Sequence, residues 1–129
     1  MLYENIKDCQ EIKEKVWGKE FWISNAPEYC GKVLVLHQQY RCSIHYHKIK
    51  KETFLIVSGK VLLEYAPDKK VVLTQGMFIT IEPYQGHRFT GLAPISEIIE
   101  FSSQHFEHDS YREEVSGKVP DDEWRDINK

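Results

Sequence analysis

Four side chains in the sequence have types and spacings suited to holding a metal ion. His45 and His47 stand two apart in Cys42-Ser43-Ile44-His45-Tyr46-His47, a run that reads as a strand. The two-residue period of a strand puts both imidazoles on one face, with Ser43, while Ile44 and Tyr46 point away. Glu52 follows a short basic turn, Lys48 to Lys51, at the start of the next predicted strand. A hairpin there folds its carboxylate back beside the two rings. His87 lies far along the chain, just after Pro83-Tyr84-Gln85-Gly86, and an antiparallel barrel can return a strand from that distance to the same point. Three neutral imidazoles and one carboxylate form a borderline-hard donor set for one divalent ion, Zn, Mn, Fe, Co or Ni, with positions left open for substrate or water. His-x-His alone is a common accident. The weight lies in the ensemble, in which Gly59 follows Glu52 by seven residues and Gly76 precedes His87 by eleven.

The elements that must position these groups are short and β-rich. Runs with strand character span 21–24, 32–37, 42–47, 53–57, 60–65, 71–74, 77–81, 87–90 and 95–102, and they are separated by turn signals such as Ser58-Gly59, Gln75-Gly76 and Glu82-Pro83. Eight or nine such strands without a long intervening helix predict an all-β antiparallel barrel or jelly roll. Ahead of them, Leu2, Ile6, Cys9, Ile12 and Val16 recur at helical spacing, which predicts a short amphipathic N-terminal helix. From Ser116 the chain is polar, with room for one helical turn near Pro120 to Arg125. The expected organisation is an N-terminal helical segment over 1–16, one barrel over 17–115 and a C-terminal tail over 116–129.

Composition bounds the partners. Over 129 residues, 17 Lys and Arg against 20 Asp and Glu leave a net charge of −3, with six His still to titrate. No Lys/Arg cluster offers a nucleic-acid footprint. The apolar runs, such as Val33-Leu34-Val35-Leu36, are far short of the roughly 20 residues that cross a bilayer. No secretory signal opens the chain. Three irregularly spaced cysteines, Cys9, Cys30 and Cys42, form no C-x-x-C pair, so packing residues in a reduced, cytoplasmic protein are expected. Homodimerisation that covers the edge strands is expected as well.

The run His45-Tyr46-His47, four residues, Glu52, six residues, Gly59 resembles the first motif of the cupin superfamily. Gly76, ten residues, His87, with Pro83 between, resembles the second. This resemblance implies a small double-stranded β-helix, a jelly-roll barrel with a metal inside its mouth held by His45, His47, Glu52 and His87. Departures exist: Gln39 stands where the first motif usually opens with Gly, Pro83 is one position late, Gly86 abuts His87, and Gly91 replaces a common Asn. The Gly76-to-His87 separation, on which ligand placement depends, is kept.

A narrower likeness runs through Trp17-Gly18, Tyr29-Cys30-Gly31-Lys32, Phe54-Leu55-Ile56-Val57-Ser58-Gly59 and Glu100-Phe101-Ser102-Ser103. These stretches are similar to the cupin domain of type II mannose-6-phosphate isomerases and of small sugar isomerases such as those acting on lyxose. The likeness implies an aldose–ketose isomerase acting on a sugar or sugar phosphate. A divalent metal would polarise the carbonyl and a side chain would shuttle the proton. The candidates for that transfer, in descending order, are Glu100, Lys32 and Glu64, and Lys32 is also implied to touch a substrate oxygen. Arg112 could grip a phosphate or carboxylate, and Phe54 and Phe89 are expected to line or underlie the pocket. His37, His105 and His108 match no motif position, and exposure is expected for the last two. Alternative readings are a cupin dioxygenase or decarboxylase with Fe or Mn, a metal-free nucleotide-sugar isomerase or epimerase, and a non-catalytic sugar-binding cupin.

Overall fold

The strands form almost where the alternating pattern predicts them. The computed structural model describes residues 1–128. Its first strands are β1 (Glu11–Lys15), β2 (Gly18–Asn25), β3 (Cys30–His37), β4 (Tyr40–Arg41), β5 (His45–Tyr46) and β6 (Glu52–Ser58). There follow β7 (Lys60–Tyr65), β8 (Lys69–Thr74), β9 (Phe78–Ile81), β10 (His87–Gly91) and β11 (Ile95–Ser102). Two short strands, β12 (Tyr111–Arg112) and β13 (Gly117–Lys118), precede the helix α1 (Asp121–Ile127). One sheet runs β1-β2-β3-β11-β6-β9. The other runs β12-β5-β10-β4-β13, with β7 on β10 and β8 on β7, and together they make a jelly-roll barrel.

Register decides which side chains meet inside. In the first sheet, Leu34, Ile98 and Ile56 are cross-strand partners and 4%, 0% and 1% exposed, which makes an apolar floor. Each such burial stabilises the fold by about 2 kcal/mol. Two residues along each strand, on the same face, Lys32, Glu100 and Phe54 align with Trp22; the next row is Cys30, Ser102 and Glu52. The interior thus turns polar toward one end. On the outer face Val33 and Val35 pack with Phe21 under Tyr3, Ile6 and Cys9, so β3 is buried on both faces and reads as one continuous apolar run.

The N-terminal helix does not form. Leu2–Asn5 make a 3-10 turn, Asp8 takes a left-handed φ of 57°, and residues 11–15 are the edge strand β1. Of the helical stripe only Ile6 and Cys9 pack, while Ile12 and Val16 stay 52% and 56% exposed. Two tertiary interactions override the helical period. The carboxylate of Glu97, 1% exposed, accepts the backbone N–H of Leu2 and Tyr3 (3.2 and 2.7 Å) and the Ser58 hydroxyl (2.8 Å). The β1–β2 hairpin presses Gly18 so close to β3 that a Cβ there would lie 1.7 Å from the Val35 carbonyl oxygen. Gly59 has a similar reason for its place in the first motif. Its φ is +85°, and a Cβ would meet Ser96 Cα at 2.7 Å.

The C-terminal residues join the barrel. Strand β12 pairs with β5 and β13 with β4. Val119 is fully buried, and Arg41 holds Glu123 of α1 through two bonds of 2.6 and 3.2 Å.

All three cysteines are free; Cys30 and Cys42 are 1% and 7% exposed, and Cys9 is half-buried. Burial raises the Cys30 thiol pKa and pushes that of Cys42 up to about 11. A disulfide reagent at pH 8 is therefore expected to label Cys9 alone in the native protein and all three thiols after denaturation. Rapid native labelling of Cys42 would contradict this packing.

Candidate metal centre and its cavity

Backbone geometry presents the imidazoles in one protonation pattern. His45 and His87 are direct partners across β5 and β10, with ring centroids 4.4 Å apart, and the His47 ring lies 5.2 Å from that of His45. Each Nδ1 meets a backbone carbonyl: His45 that of Ser43 at 2.8 Å, His47 that of Asp109 at 2.9 Å, His87 that of Gln85 at 3.0 Å. A carbonyl oxygen can only accept, so each Nδ1 carries the proton and each Nε2 is left with a bare lone pair. One donor atom from each of the three rings lies within 4.8 Å of the others, as a shared cation requires. Burial, helped by the neighbouring His87, lowers the His45 pKa to about 3, and burial lowers that of His47 as well.

Glu52 stands at the edge of this group. Its Oε2 lies 3.0 Å from His87 Nε2, and neither atom has a hydrogen-bond partner although both are buried. Two lone-pair atoms facing each other in a dry setting repel unless a metal ion or a shared proton lies between them. The residues present therefore fit a divalent metal. The other oxygen, Oε1, accepts from Lys50 Nζ at 2.9 Å. Burial opposes ionisation of Glu52, but the Lys50 ammonium together with His87 and His47 outweighs it and holds the carboxyl well below the usual range.

Lys50 is itself 3% exposed, and it also bonds Glu100 Oε2 (3.1 Å) and His105 Nδ1 (3.0 Å). Burial opposes its charge, and Glu100 with Glu52 outweighs that and raises its pKa. Burial, then Lys50, pushes His105 down to about 3. Asp109 fixes the turn that carries Lys50. Its carboxylate, 1% exposed, accepts the backbone N–H of Lys48, Ile49 and Lys50 at 2.9–3.2 Å, while its carbonyl orients His47.

All of these side chains except His87 and Asp109, which lie behind the wall, open onto a cavity of about 600 Å³. His45, His47, Glu52, Glu100, Lys32, Phe54, Phe89 and Arg112 all line it. Phe54 and Phe89, 1% and 4% exposed, pack edge to face below the His87 ring. The segment after Ser103 forms the rim: Glu107, Ser110 and Arg112 line the cavity, and Arg112 donates to Ser43 Oγ at 2.8 Å.

Two expectations fail here. Glu64 is absent from the cavity, because its carboxylate holds Arg88 at 3.1 Å elsewhere on the barrel. His105 is not an exposed connector residue; it lines the cavity with its ring edge-on to Trp22 and His47. Sequence reasoning also missed Lys50, which lies in the basic turn before Glu52, where strand parity does not apply. Asp109 carries no periodic signal at all.

A jelly-roll barrel with three imidazoles grouped inside it and a carboxylate against two of them defines a class of small β-barrel proteins. Residues 32–95 match the Cupin domain family. No curated protein matches the sequence. Among solved structures it is similar to the capsular polysaccharide assembling protein CapF from Staphylococcus aureus, at 20% identity and a TM-score of 0.70 over 81% of this chain and 34% of that one. The chain thus spans about a third of CapF. It is also similar to KdgF from Halomonas sp. (17% identity, TM-score 0.67, 79% and 92% of the two chains). A third likeness is Streptomyces Pac13, described as a nucleoside dehydratase (14% identity, TM-score 0.72, 88% and 89%). At these identities the likeness establishes the fold.

Proposed function

We propose that the protein is a metal-dependent enzyme that moves a proton between adjacent carbons of a sugar or sugar phosphate, an aldose–ketose isomerase. The observation that carries this reading is the grouping of three imidazole donors, one of which, His87 Nε2, faces the orphaned Oε2 of Glu52 at 3.0 Å, beside a cavity lined by a carboxylate. His45, His47 and His87 with Glu52 Oε2 would hold the ion, which would supply Lewis acidity to the substrate's carbonyl and hydroxyl oxygens. Lys50 keeps Glu52 to a single free oxygen and pins Glu100 through Oε2. Glu100 Oε1 has no hydrogen-bond partner among the described residues, and the side chain lines the cavity. In this reading it takes a proton from one carbon and returns it to the next. Phe54 and Phe89 exclude water from below. The homodimer belongs to the same reading and draws support from Phe78 and Phe101, 69% and 51% exposed on the outer face of the first sheet.

The test is solvent exchange. Metal-replete protein incubated in heavy water with mannose 6-phosphate or lyxose is expected to wash deuterium into the carbon beside the carbonyl as aldose and ketose interconvert. Glu100→Gln should lower kcat by about 10²–10⁴-fold while keeping its metal. Absence of exchange with any aldose or ketose offered sinks the isomerase reading, and oxygen consumption by an iron-loaded protein would put the dioxygenase in its place.

A further inference from the structure

Most acidic groups around the cavity already have a partner. Glu52 and Glu100 share Lys50, Glu107 binds Lys13, and Glu20 accepts from Trp22 Nε1 at 3.0 Å. Lys32 has no such partner among the described residues. It is 3% exposed and lines the cavity, and its ammonium sits 3.8 Å above the centre of the Trp22 ring. Glu100, its cross-strand neighbour, spends Oε2 on Lys50 and Ser102 instead. A π-face attracts the charge but accepts poorly, so a buried ammonium with three donors is left without an acceptor. Lys15, half-buried at the same cavity, has no ion pair either, and Arg112 spends one donor on a neutral hydroxyl. A free ammonium as buried as that of Lys32 is held for something that arrives in the cavity.

We propose that Lys32, seated on Trp22, is a subsite for a negatively charged group of the substrate, so that the ligand is an acidic sugar and not a neutral one. This rests on the reading of the cavity as the substrate site and narrows its substrate class. A carboxylate and a phosphate offer the same anionic oxygens, and Lys15 and Arg112 add longer-range attraction for either. The metal-binding imidazoles take no part in this recognition, which makes the two readings separable.

The experiment is calorimetric titration of glucose, glucuronate and glucose 6-phosphate into the wild type, Lys32→Met, Lys32→Gln and His47→Ala. At least one charged sugar should bind the wild type tenfold or more tightly than glucose, with a preference that shrinks as salt is raised. Tighter glucuronate identifies the carboxylate as the source, and tighter glucose 6-phosphate the phosphate. Lys32→Met should lose the preference; Lys32→Gln serves the same purpose if the apolar variant does not fold. His47→Ala, which addresses the metal alone, should keep it. Equal or undetectable binding of all three sugars by the wild type, or a preference that survives loss of Lys32, overturns the subsite. Loss of metal from His47→Ala with the preference intact leaves the subsite standing whatever becomes of the isomerase reading.

Discussion

Purified protein dialysed against divalent ions is expected to carry about one ion per chain, and His87→Ala close to none. His87 is 1% exposed, and its Nε2 faces Glu52 Oε2 at 3.0 Å with no other partner. Removing the ring takes away one of three imidazole donors and leaves Oε2 facing an apolar gap above Phe54. Losing a group that merely orients a ligand costs about 10–100-fold in affinity, so losing the ligand itself should cost more. Asp109→Ala is the orienting case. The His47 bond to the residue-109 carbonyl survives on paper, but the three N–H groups of 48–50 lose their shared acceptor. An intermediate loss of about 10–100-fold is expected there. Elemental analysis after chelator treatment and reloading reads both. Zinc or manganese in the native preparation would favour proton transfer, and iron would favour oxygen chemistry. A wild type that takes up none of the five candidate ions would remove the four-donor site. The Glu52–His87 contact would then have to share a proton.

Much of this site was legible because strand parity is an exact rule. His45, His47 and the opening of β6 at Glu52 follow from a period of two, even though only His45–Tyr46 of the expected strand 42–47 pairs as one. The barrel was legible from β-rich runs between turn residues, with β6 alternating and β7 and β11 built around short apolar runs. The N-terminal segment was not. Its apolar spacing satisfies a helix, and only a buried carboxylate 95 positions away, Glu97, shows why the chain turns instead. Glu64 and Glu100 illustrate the same gap. Both are acids on strands, yet one lies outside the cavity against Arg88 and the other inside against Lys50. Which face each takes depends on sheet closure and on the register shift between Glu97 and Ile98, which no local pattern encodes. Lys50 lay between these cases, since it sits two residues before Glu52 while its other two partners, Glu100 and His105, come from far along the chain.

The metal-free protein is expected to lose about 4 kcal/mol of stability between pH 8 and pH 5. Two rings dominate. His45 and His105 are held neutral to about pH 3 in the fold, in both cases first by burial, whereas in the unfolded chain they titrate at 6.5. Near pH 5 the folded state therefore leaves both rings bare while the unfolded state binds almost one proton at each. Protons favour unfolding, and stability falls as pH drops through 6.5 and keeps falling until about 3. Each ring contributes about 2 kcal/mol by pH 5, at 1.36 kcal/mol per unit. His47, also lowered, adds in the same direction. Glu52, held low beside Lys50, adds its share only once the unfolded carboxylate begins to protonate, near pH 4. Against a total of about 5–15 kcal/mol for a domain, the loss is large enough to follow by urea unfolding at each pH in the presence of chelator. His105→Gln should remove about half of the slope between pH 6.5 and pH 5. A stability that stays flat over that range would mean the rings are protonated in the fold, and protonated imidazoles cannot supply the bare Nε2 atoms on which the metal centre depends.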